Sequence, residues 1–374
     1  TNDLVTAPEI LFFWVARMIM AGYEYQKELP FKNVYLTGIV RDKQGRKMSK
    51  SLGNSPDPIT LIDKYGADGV RVGMLLCSPA GNDLPFDENL CEQGRNFANK
   101  VWNAFRLIKG WEVKEINQTE YSKIAINWFE NKLNKEIENI NKSYDQYRIS
   151  EALMTTYKLI WDDFCAWYLE TIKPEYSNPI DQITYEKTIY FLELLLKLLH
   201  PFTPFLTEEI WHFIRKREDD IIVSTWPEIN KFDNQIIDNF SSISEVVTNI
   251  RKIRKEQNIP NKEILELNIL DNTKIEKSLD PVIQKLSNIS RIKYVNEKQS
   301  NSLTFMVKSN QYFIPFSKKL DINSEIQKLK KELEYTEGFL KIVENKLSNS
   351  KFIKNAPQQL VKNERNKQVD AKER

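Results

Sequence analysis

Apolar runs and turn-forming residues alternate quickly over the first part of the chain, up to about residue 87. Short β-branched runs are separated there by turn signals, and eight of the eleven glycines lie in this stretch. The pattern is typical of an α/β sheet domain. It predicts a helix over 10–22 that ends at Gly22, a buried strand over 33–40 and a polar loop over 42–54.

Two helix-start signals come after that loop. Asp57 precedes Pro58, as a capping residue precedes a proline in the first turn of a helix. Gly66 is expected to end this helix. Asp68 is expected to cap a second helix.

From about residue 88 to residue 240 the pattern is helical. Glycine and proline become sparse, and apolar residues recur every three or four positions. This spacing predicts a bundle of amphipathic helices. The signals are apolar stripes over 97–108 and 126–140, an aromatic-rich stretch over 147–172, a leucine-rich stretch over 185–200, and a Thr203-Pro204 start running to about 216.

The pattern shortens again over 241–320. A helix with a basic end is predicted over 241–257. After Pro260, strands are predicted over 263–270, 292–295, 303–307 and 312–315, around a helix over 281–290. This region therefore reads as a basic helix followed by a small α+β module.

The last region, 321–374, is polar with an apolar heptad. Spacings of three and four residues predict a coiled-coil helix, and after Pro357 a second charged helix is expected to return alongside it. The apolar positions are Ile326, Leu329, Leu333, Leu340, Val343 and Leu347, with Thr336 at one expected apolar position.

Composition narrows the class of protein. The 374 residues are 41% hydrophobic and 28% charged, with a net charge of +2, which excludes a wholly disordered or collagen-like chain. No apolar run is long enough to span a membrane. The chain starts at Thr1 without a leader pattern, so we expect a cytoplasmic protein and a piece of a longer one.

Cysteine and histidine usage argues against other chemistries. Cys77, Cys91 and Cys165 are scattered without metal-ligand spacing, which predicts neither a disulfide framework nor a zinc cluster. His200 and His212 are the only histidines. The sequence therefore predicts no protein-bound metal.

One short segment carries a chemical signal. Lys47 and Lys50 are separated by Met48 and Ser49 and followed by Ser51, between Gly45 and Gly53. Two ammonium groups on a glycine-flanked loop can converge on one polyphosphate. Positioned cations there can stabilise the charge that develops on a leaving pyrophosphate.

The run from Gly38 to Ser51, GIVRDKQGRKMSKS, resembles the second signature of class I aminoacyl-tRNA synthetases. The segment from Asp57 to Arg71 resembles the stretch directly after that signature in the class. The runs 13–18 and 94–104 look like the valine-specific branch. The run 200–211 is similar to the anticodon-binding bundle of the valine, isoleucine and leucine subgroup.

The resemblance implies a multi-domain fold. It consists of a partial α/β Rossmann-type catalytic domain over 1–87, a helical anticodon-binding bundle over 88–240, a linker module over 241–320 and a truncated coiled-coil, tRNA-binding arm over 321–374. The parent would activate valine with ATP and transfer it to tRNA(Val). The class's first signature and its editing domain are not in the sequence, so we expect the isolated chain to be inactive.

The resemblance also implies residue roles. Lys47 and Lys50 would be catalytic and hold the ATP phosphates, with Met48, Ser49 and Ser51 shaping the loop. Gly38, with Ile39 and Val40, would cradle adenine. Ile10 and Trp14, four apart on a predicted helix, would line the amino-acid pocket. ATP would be a substrate, accompanied by Mg²⁺.

Local basic clusters would contact tRNA. The first lies along the first bundle helix and the second at the end of the basic helix. They comprise Arg95, Lys100 and Arg106, and Arg251, Lys252, Arg254 and Lys255. Over 321–374 there are 12 basic and 9 acidic residues, which also suits an RNA-binding arm. We expect a monomer that does not bind membranes.

Two alternatives remain at this point. One is an isoleucyl-tRNA synthetase fragment, although the absence of any cysteine after Cys165 and the coiled-coil ending favour the valine branch. The other is a non-catalytic tRNA-binding module. The intact lysine signature argues against the second alternative for the parent.

Overall fold

The computed structural model describes residues 1–77, 83–270, 277–315, 322–349, 352–353 and 356–373. The chain forms two compact units, Thr1–Asn234 and Gln235–Arg374. The predicted α/β region and nearly all of the predicted bundle therefore lie in one unit. The finer division into four domains stays a prediction.

The α/β region contains two short parallel strand pairs. The strands β1 (Asp3–Thr6) and β2 (Asn33–Leu36) form one pair, and β3 (Val40–Arg41) and β4 (Leu84–Pro85) form the other. The single buried strand predicted over 33–40 is wrong, because its two halves pair with different partners. Gly38 lies in the break between them, as suits a residue with low strand propensity.

The first helical segment is longer and less regular than the predicted helix. A 3₁₀ turn at Pro8–Ile10 leads into wide π-helical turns, and helix α1 (Ala16–Ala21) lies between two of these. Gly22 does not end the segment, which runs to Gln26. Glycine is needed there because a Cβ would lie 2.8 Å from the Glu28 carbonyl oxygen.

Helices α2 (Pro58–Tyr65) and α3 (Ala67–Leu76) come after the polar loop. The Asp57 carboxylate caps α2, and Gly66 ends it with a left-handed φ of 76°, as predicted. The expectation for Asp68 is wrong. This residue lies inside α3, and its carboxylate accepts hydrogen bonds from backbone N–H groups further along the chain.

Six helices build the bundle part of the first unit. Between α6 and α7 the chain stays helical through π turns at Leu159–Tyr168, and the short strands β5 (Val113–Lys114) and β6 (Ile180–Asp181) pair in parallel. The helices are α4 (Glu88–Lys109), α5 (Glu120–Asp145), α6 (Ile149–Lys158), α7 (Leu169–Ile172), α8 (Gln182–Leu199) and α9 (Pro204–Ile214).

Aromatic side chains fill the centre of this bundle. The Phe129 ring lies 5.0 to 5.3 Å from the rings of Phe164, Tyr168 and Phe191, measured between centroids. The Tyr168 hydroxyl shares a hydrogen bond of 2.8 Å with Thr188. These rings are fully buried, so they stabilise the core and do not reach RNA.

Helices α3 and α4 cross at close range. A Cβ on Gly73 would lie 2.6 Å from the Cys91 backbone nitrogen, and one on Gly94 would overlap the backbone of Gly69. The backbones therefore approach each other where side chains would normally separate them. This contact joins the lysine-bearing region to the bundle across the predicted boundary at residue 87.

The second unit begins with α10 (Asn234–Glu256). A four-stranded sheet comes next, in the order β8-β7-β10-β9, with β7 and β8 parallel and the other pairs antiparallel. The predicted strands and intervening helix are therefore confirmed within a few residues. They are β7 (Leu265–Leu270), α11 (Asp280–Ser287), β8 (Ile289–Val295), β9 (Ser302–Val307) and β10 (Asn310–Pro315).

Two helices, α12 (Ile322–Ser348) and α13 (Gln358–Glu373), end the described chain. They run antiparallel, because Glu344 pairs with Lys372 and Lys346 with Glu364. Of the predicted apolar positions, Val343 is buried while Leu333 is 59% exposed. The side chains of Ile326 and Leu329 lie outside the described residues. A coiled coil stays a prediction.

Candidate functional site

The signature lysines lie on a hairpin-like loop that leaves β3. The Met48 N–H donates to the Val40 carbonyl over 3.0 Å, and the Asp42 N–H to the Arg46 carbonyl over 2.9 Å. Gly45 turns the chain with a φ of 76°, which glycine adopts without strain. The loop then closes in a 3₁₀ turn at Lys50–Leu52, and Gly53 comes next with a φ of 63°.

The two lysines differ in their surroundings. The Lys47 ammonium lies 2.8 and 3.0 Å from the two carboxylate oxygens of Glu9. Both side chains are about half exposed, so this ion pair is weak and exchangeable. Lys50 is exposed, and within the described part of the chain it makes no ion pair. Both ammonium groups can therefore turn toward an anionic ligand.

Met48, between the lysines, anchors the loop. Its side chain packs against a buried cluster of Leu61, Tyr65, Phe86 and Cys91. Alternation along an extended segment places Lys47 and Ser49 on the other side of the backbone. The Met48 side chain thus helps fix the direction of Lys47, whereas Lys50 lies in the following 3₁₀ turn.

Polar contacts tie the base of the loop together. The Asp42 carboxylate is buried and accepts from the backbone N–H groups of Gln44 and Arg46 and from the Arg46 side chain. It also accepts from the Asn54 carboxamide, whose hydrogen bond holds the pKa of Asp42 well below its usual value, with the bonds from residues 44 and 46 adding to it. The carboxylate is therefore ionised throughout the neutral range.

The Ser49 hydroxyl works inside the loop. Its oxygen accepts from the Leu52 N–H and lies 3.1 Å from the Ser51 hydroxyl oxygen. It thus caps the 3₁₀ turn that carries Lys50. These contacts join the two serines to each other and to the 3₁₀ turn, and their role at a nucleotide stays a prediction.

The predicted adenine cradle lies in the segment between β2 and β3. Gly38 is half-buried there. The Ile39 N–H donates to Asp83, and the Ile39 carbonyl accepts from Leu84. The Val40 carbonyl accepts from Met48. Much of this backbone is therefore already paired, and an adenine ring would have to use its remaining polar groups.

Ile10 and Trp14 do not lie on one regular helix. Ile10 ends a 3₁₀ turn and Trp14 belongs to a π-helical turn, so the spacing of an α-helix does not apply between them. Their side chains are 39% and 54% exposed. Phe12 and Phe13 beside them are more exposed still. An amino-acid pocket here stays a prediction.

The first basic cluster is spread along α4. The Arg95 guanidinium pairs with Glu92 at 3.1 Å, and the Lys100 ammonium lies 5.5 Å from the centre of the Trp161 ring. Arg106 is exposed. The structure thus leaves one of the three residues open to solvent and gives the other two local partners.

One of the four residues of the predicted second basic cluster is buried and does not lie on the surface with the others. Arg251, Lys252 and Lys255 are exposed on α10, whereas Arg254 is only 3% exposed. The Arg254 guanidinium donates to the carbonyls of Pro260, Ser287 and Asn288. The prediction that Arg254 contacts tRNA is therefore wrong. Its buried guanidinium instead joins α10 to the following module.

One group of potential metal ligands occurs among the described residues. The His212 Nε2 atom lies 3.2 Å from a Glu208 oxygen and 3.1 Å from an Asp220 oxygen. A hydrogen bond between His212 Nε2 and Asp220, and another from the Ile221 N–H to Glu208, account for this geometry without a metal. The expectation of no protein-bound metal stays a prediction.

Sequence reasoning missed three side chains at the loop. They are Glu9, which pairs with Lys47, and the Asp42–Asn54 pair that closes the loop base. Asp42 could have been noticed, because an aspartate before a Gly-containing turn often accepts backbone hydrogen bonds. Glu9 could not, because it is 38 residues from its partner.

Comparison with protein families matches three parts of the chain. Residues 1–87 match class I tRNA synthetases (I, L, M and V), and residues 127–269 match the anticodon-binding domain of tRNA ligases. Residues 321–374 match the tRNA-binding arm of valyl-tRNA synthetases.

Relatives that align with nearly the whole of this chain agree with these family matches. The chain is 59% identical to a valine–tRNA ligase of Christiangramia forsetii and 52% identical to one of Parabacteroides distasonis, covering 99% of this chain and 43% of each relative. A valine–tRNA ligase of Listeria innocua is 38% identical, over 99% of this chain and 44% of the relative. The chain thus spans less than half the length of these relatives.

Among solved structures, a LeuRS–tRNA–LeuAMS ternary complex from Agrobacterium radiobacter K84 matches 63% of this chain and 29% of its own. Its identity is 20% and its TM-score 0.47. The likeness is too weak to bear on the fold. One further property is common to the described helices: none is long and apolar enough to cross a lipid bilayer.

Proposed function

We propose that this chain, which belongs to the valine–tRNA ligase family of class I tRNA synthetases, supplies the phosphate-binding loop and the tRNA-binding region of an enzyme that joins valine to tRNA(Val). The observation that carries the proposal is the loop after β3. It presents Lys47 and Lys50 to solvent while Met48 holds it to the core.

The reaction has two steps in this proposal. A valine carboxylate oxygen attacks the α-phosphorus of ATP, and pyrophosphate leaves with the electron pair of the broken P–O bond. The 3′-terminal hydroxyl of tRNA then attacks the carbonyl carbon of the adenylate, and AMP leaves. Valine–tRNA ligase relatives along the whole chain support this reaction over the isoleucine alternative.

The lysines act in the first step. Negative charge grows on the leaving pyrophosphate, and two ammonium groups near it stabilise the transition state more than the ground state. Lys47 must first leave Glu9. Because that ion pair is half exposed, the exchange costs at most about 1 kcal/mol.

Mg²⁺ has no evident resident site at the loop. The carboxylates nearest to it each have a partner: Glu9 pairs with Lys47, Asp42 with Arg46 and Asp83 with Arg41. Among the described residues, no group of three or more potential ligands gathers at this loop, so the residues present do not form a site for a protein-held Mg²⁺. In the proposal Mg²⁺ accompanies the triphosphate, and no step runs through it.

The test is valine-dependent exchange of pyrophosphate into ATP, measured with the full-length protein that carries this chain. Changing Lys47 and Lys50 together to alanine is expected to reduce the exchange rate at least 100-fold, since each charged contact to a transition state contributes roughly tenfold or more. Lys43→Ala is the matched control, since Lys43 lies on the same loop and is exposed. Full exchange by the double variant would contradict the proposal.

The proposed binding of tRNA can be tested separately, with this chain alone. We expect it to retain tRNA(Val) on a filter more strongly than an unrelated tRNA, and not to aminoacylate it. Equal retention of both RNAs at every salt concentration would mean that phosphate charge alone drives binding. That outcome would favour the alternative of a non-specific RNA-binding module.

A further inference from the structure

The loop that carries the two lysines turns at two glycines, and in its middle the Met48 side chain packs against the core. Gly45 and Gly53 have positive φ angles, and both lysine side chains are long and exposed. Ordering such groups costs about 1–2 kcal/mol per residue. A loop that must present two ammonium groups at a defined place therefore needs fixed points in its backbone.

One carboxamide supplies them. The Asn54 Oδ1 atom accepts from the Ser49 N–H over 2.9 Å, and the Asn54 Nδ2 atom donates to the Lys47 carbonyl over 3.3 Å. The peptide groups on both sides of Met48 are thus bound to the same side chain. Lys47 and the residue before Lys50 cannot move apart without breaking one of these bonds.

The carboxamide is itself held by a buried anion. Its Nδ2 atom donates to the Asp42 carboxylate over 2.9 Å. That carboxylate is 7% exposed and also binds the turn at residues 44–46. Asp42 thereby joins the two ends of the loop, residues 42–46 and residue 54, through one hydrogen-bond network.

Only an amide can make this set of contacts. The site asks for one acceptor toward Ser49 and two donors toward Asp42 and Lys47, and a carboxamide offers both kinds of group on one planar end. A carboxylate would lack the donors and would repel Asp42. An alanine would leave the Ser49 N–H and the Lys47 carbonyl to water.

We propose that Asn54, held by Asp42, is the positioning residue that sets where Lys47 and Lys50 present their charges to the nucleotide phosphates. The inference rests on the proposed function of the lysines and deepens it. Asn54 acts through the lysine-bearing backbone, so its effect depends on the lysines being present. That dependence separates positioning from a general contribution to folding.

The experiment is a double-mutant cycle in the full-length protein, read by valine-dependent pyrophosphate exchange. Asn54→Ala is expected to lower kcat 10- to 100-fold, the range for a misplacement of catalytic groups by about 1 Å, with the KM for valine within twofold of wild type. In a background where both lysines are alanine, the same change is expected to have no further effect.

Asn33→Ala is the matched control. It removes another asparagine–aspartate hydrogen bond of the same unit, from Asn33 Nδ2 to Asp3 over 2.8 Å, and it is expected to leave the exchange rate unchanged. Hydrogen exchange at the Ser49 amide gives an independent measurement. It should be slow in the wild type and faster in Asn54→Ala.

The outcomes separate the two proposals. If the lysine variant keeps its rate, the proposed function fails. If that variant loses its rate but Asn54→Ala does not, or if Asn54→Ala costs the same factor with and without the lysines, only the positioning role fails. Should Asn54→Ala not fold, Asn54→Asp decides: a folded Asp variant with unchanged kcat overturns the inference.

Discussion

Arg254 and Lys255 are adjacent in sequence and have opposite surroundings. The Arg254 guanidinium is buried against three backbone carbonyls, while Lys255 is exposed. Desolvation lowers the pKa of Arg254, yet its ordinary value is so high that the group stays charged. A buried guanidinium of this kind stabilises the fold through the carbonyl groups that it binds.

Arg254→Ala is therefore expected to destabilise the protein by about 2–4 kcal/mol, because three carbonyls lose a charged donor inside the protein. Lys255→Ala should change the free energy of unfolding by less than about 0.5 kcal/mol. Urea unfolding followed by circular dichroism measures both. Equal stabilities of the two variants would show that the guanidinium contacts contribute nothing.

Asp163 gives a second prediction at this scale. It faces Lys132, with Glu136 and Asp162 nearby, and burial raises its pKa to about 6. A carboxyl whose pKa is higher in the folded than in the unfolded state stabilises the fold below the unfolded pKa. That contribution disappears as the pH rises through the folded pKa.

Asp163→Asn is consequently expected to gain stability relative to wild type as the pH rises from 4 to 7, by an amount on the order of 2 kcal/mol. The measurement is urea unfolding of both proteins at a series of pH values. Parallel pH profiles for Asp163→Asn and wild type would refute the assignment.

At the scale of secondary-structure elements, one residue caps a helix far away in sequence. Asp68 lies in α3, and its buried carboxylate accepts from the backbone N–H groups of Phe205 and Leu206 at the start of α9. Thr203, which precedes Pro204 at the predicted start of this helix, makes no side-chain capping bond. Arg71 of α3 reinforces the contact by donating to the carbonyls of Pro201 and Phe202.

Asp68→Ala is expected to cost about 1–2 kcal/mol of unfolding free energy, since it leaves two N–H groups of α9 without their acceptor. Asp57→Ala removes an exposed cap with longer hydrogen bonds of 3.4 Å and should cost about 0.5–1 kcal/mol. Thermal and urea unfolding of the two variants compare them directly. A smaller loss for Asp68→Ala than for Asp57→Ala would contradict the capping role.

Sequence periodicity located most elements, because helix and strand patterns depend on neighbours three to four or two positions away. The bundle helices and the four strands after α10 arise from such local signals. The Asp68 cap, the Glu9–Lys47 pair and the burial of Arg254 depend on residues 33 to 138 positions apart. Periodicity carries no information about contacts at that separation, so these parts of the site could not be predicted.

The lysine signature itself was readable, because its residues are contiguous. The hydrogen-bond network that holds the signature could be predicted from the sequence only in part. Asp42 precedes a turn with glycine, whereas the role of Asn54 emerges only when the loop closes and brings residue 54 to the backbone of residues 47 and 49. The irregular helical geometry at Ile10 and Trp14 was also hidden, since 3₁₀, α and π turns share similar apolar spacing over so few residues.

Across the whole molecule, charge is nearly balanced, with a net value of +2. On the proposed function, attraction to RNA comes from local clusters, since the field from this net charge is too weak at this size. Lys252 and Lys255 are exposed on α10 and offer the clearest cluster. In the cluster on α4, Arg95 and Lys100 already have partners on their own surfaces, while Arg106 is exposed.

Changing Lys252 and Lys255 together to alanine is expected to weaken tRNA binding about three- to tenfold at low salt. It should also lower the slope of log affinity against log salt by about 1–2, one for each RNA phosphate that a lysine no longer neutralises. Filter binding across a salt series provides both values. The control is a matched pair of exposed lysines in the other unit, Lys114 and Lys123. An equal loss of tRNA affinity in that variant would mean that Lys252 and Lys255 have no particular role in binding.

The carboxamide of Asn54 also makes the loop sensitive to slow deamidation. Asparagine side chains hydrolyse spontaneously to carboxylates with age, and Asn54 is followed by the small residue Ser55. Deamidation would bring a second negative charge to within hydrogen-bonding distance of Asp42 and remove the donor that binds Lys47. On the proposed function, such a molecule would position its two lysines less well for the nucleotide phosphates.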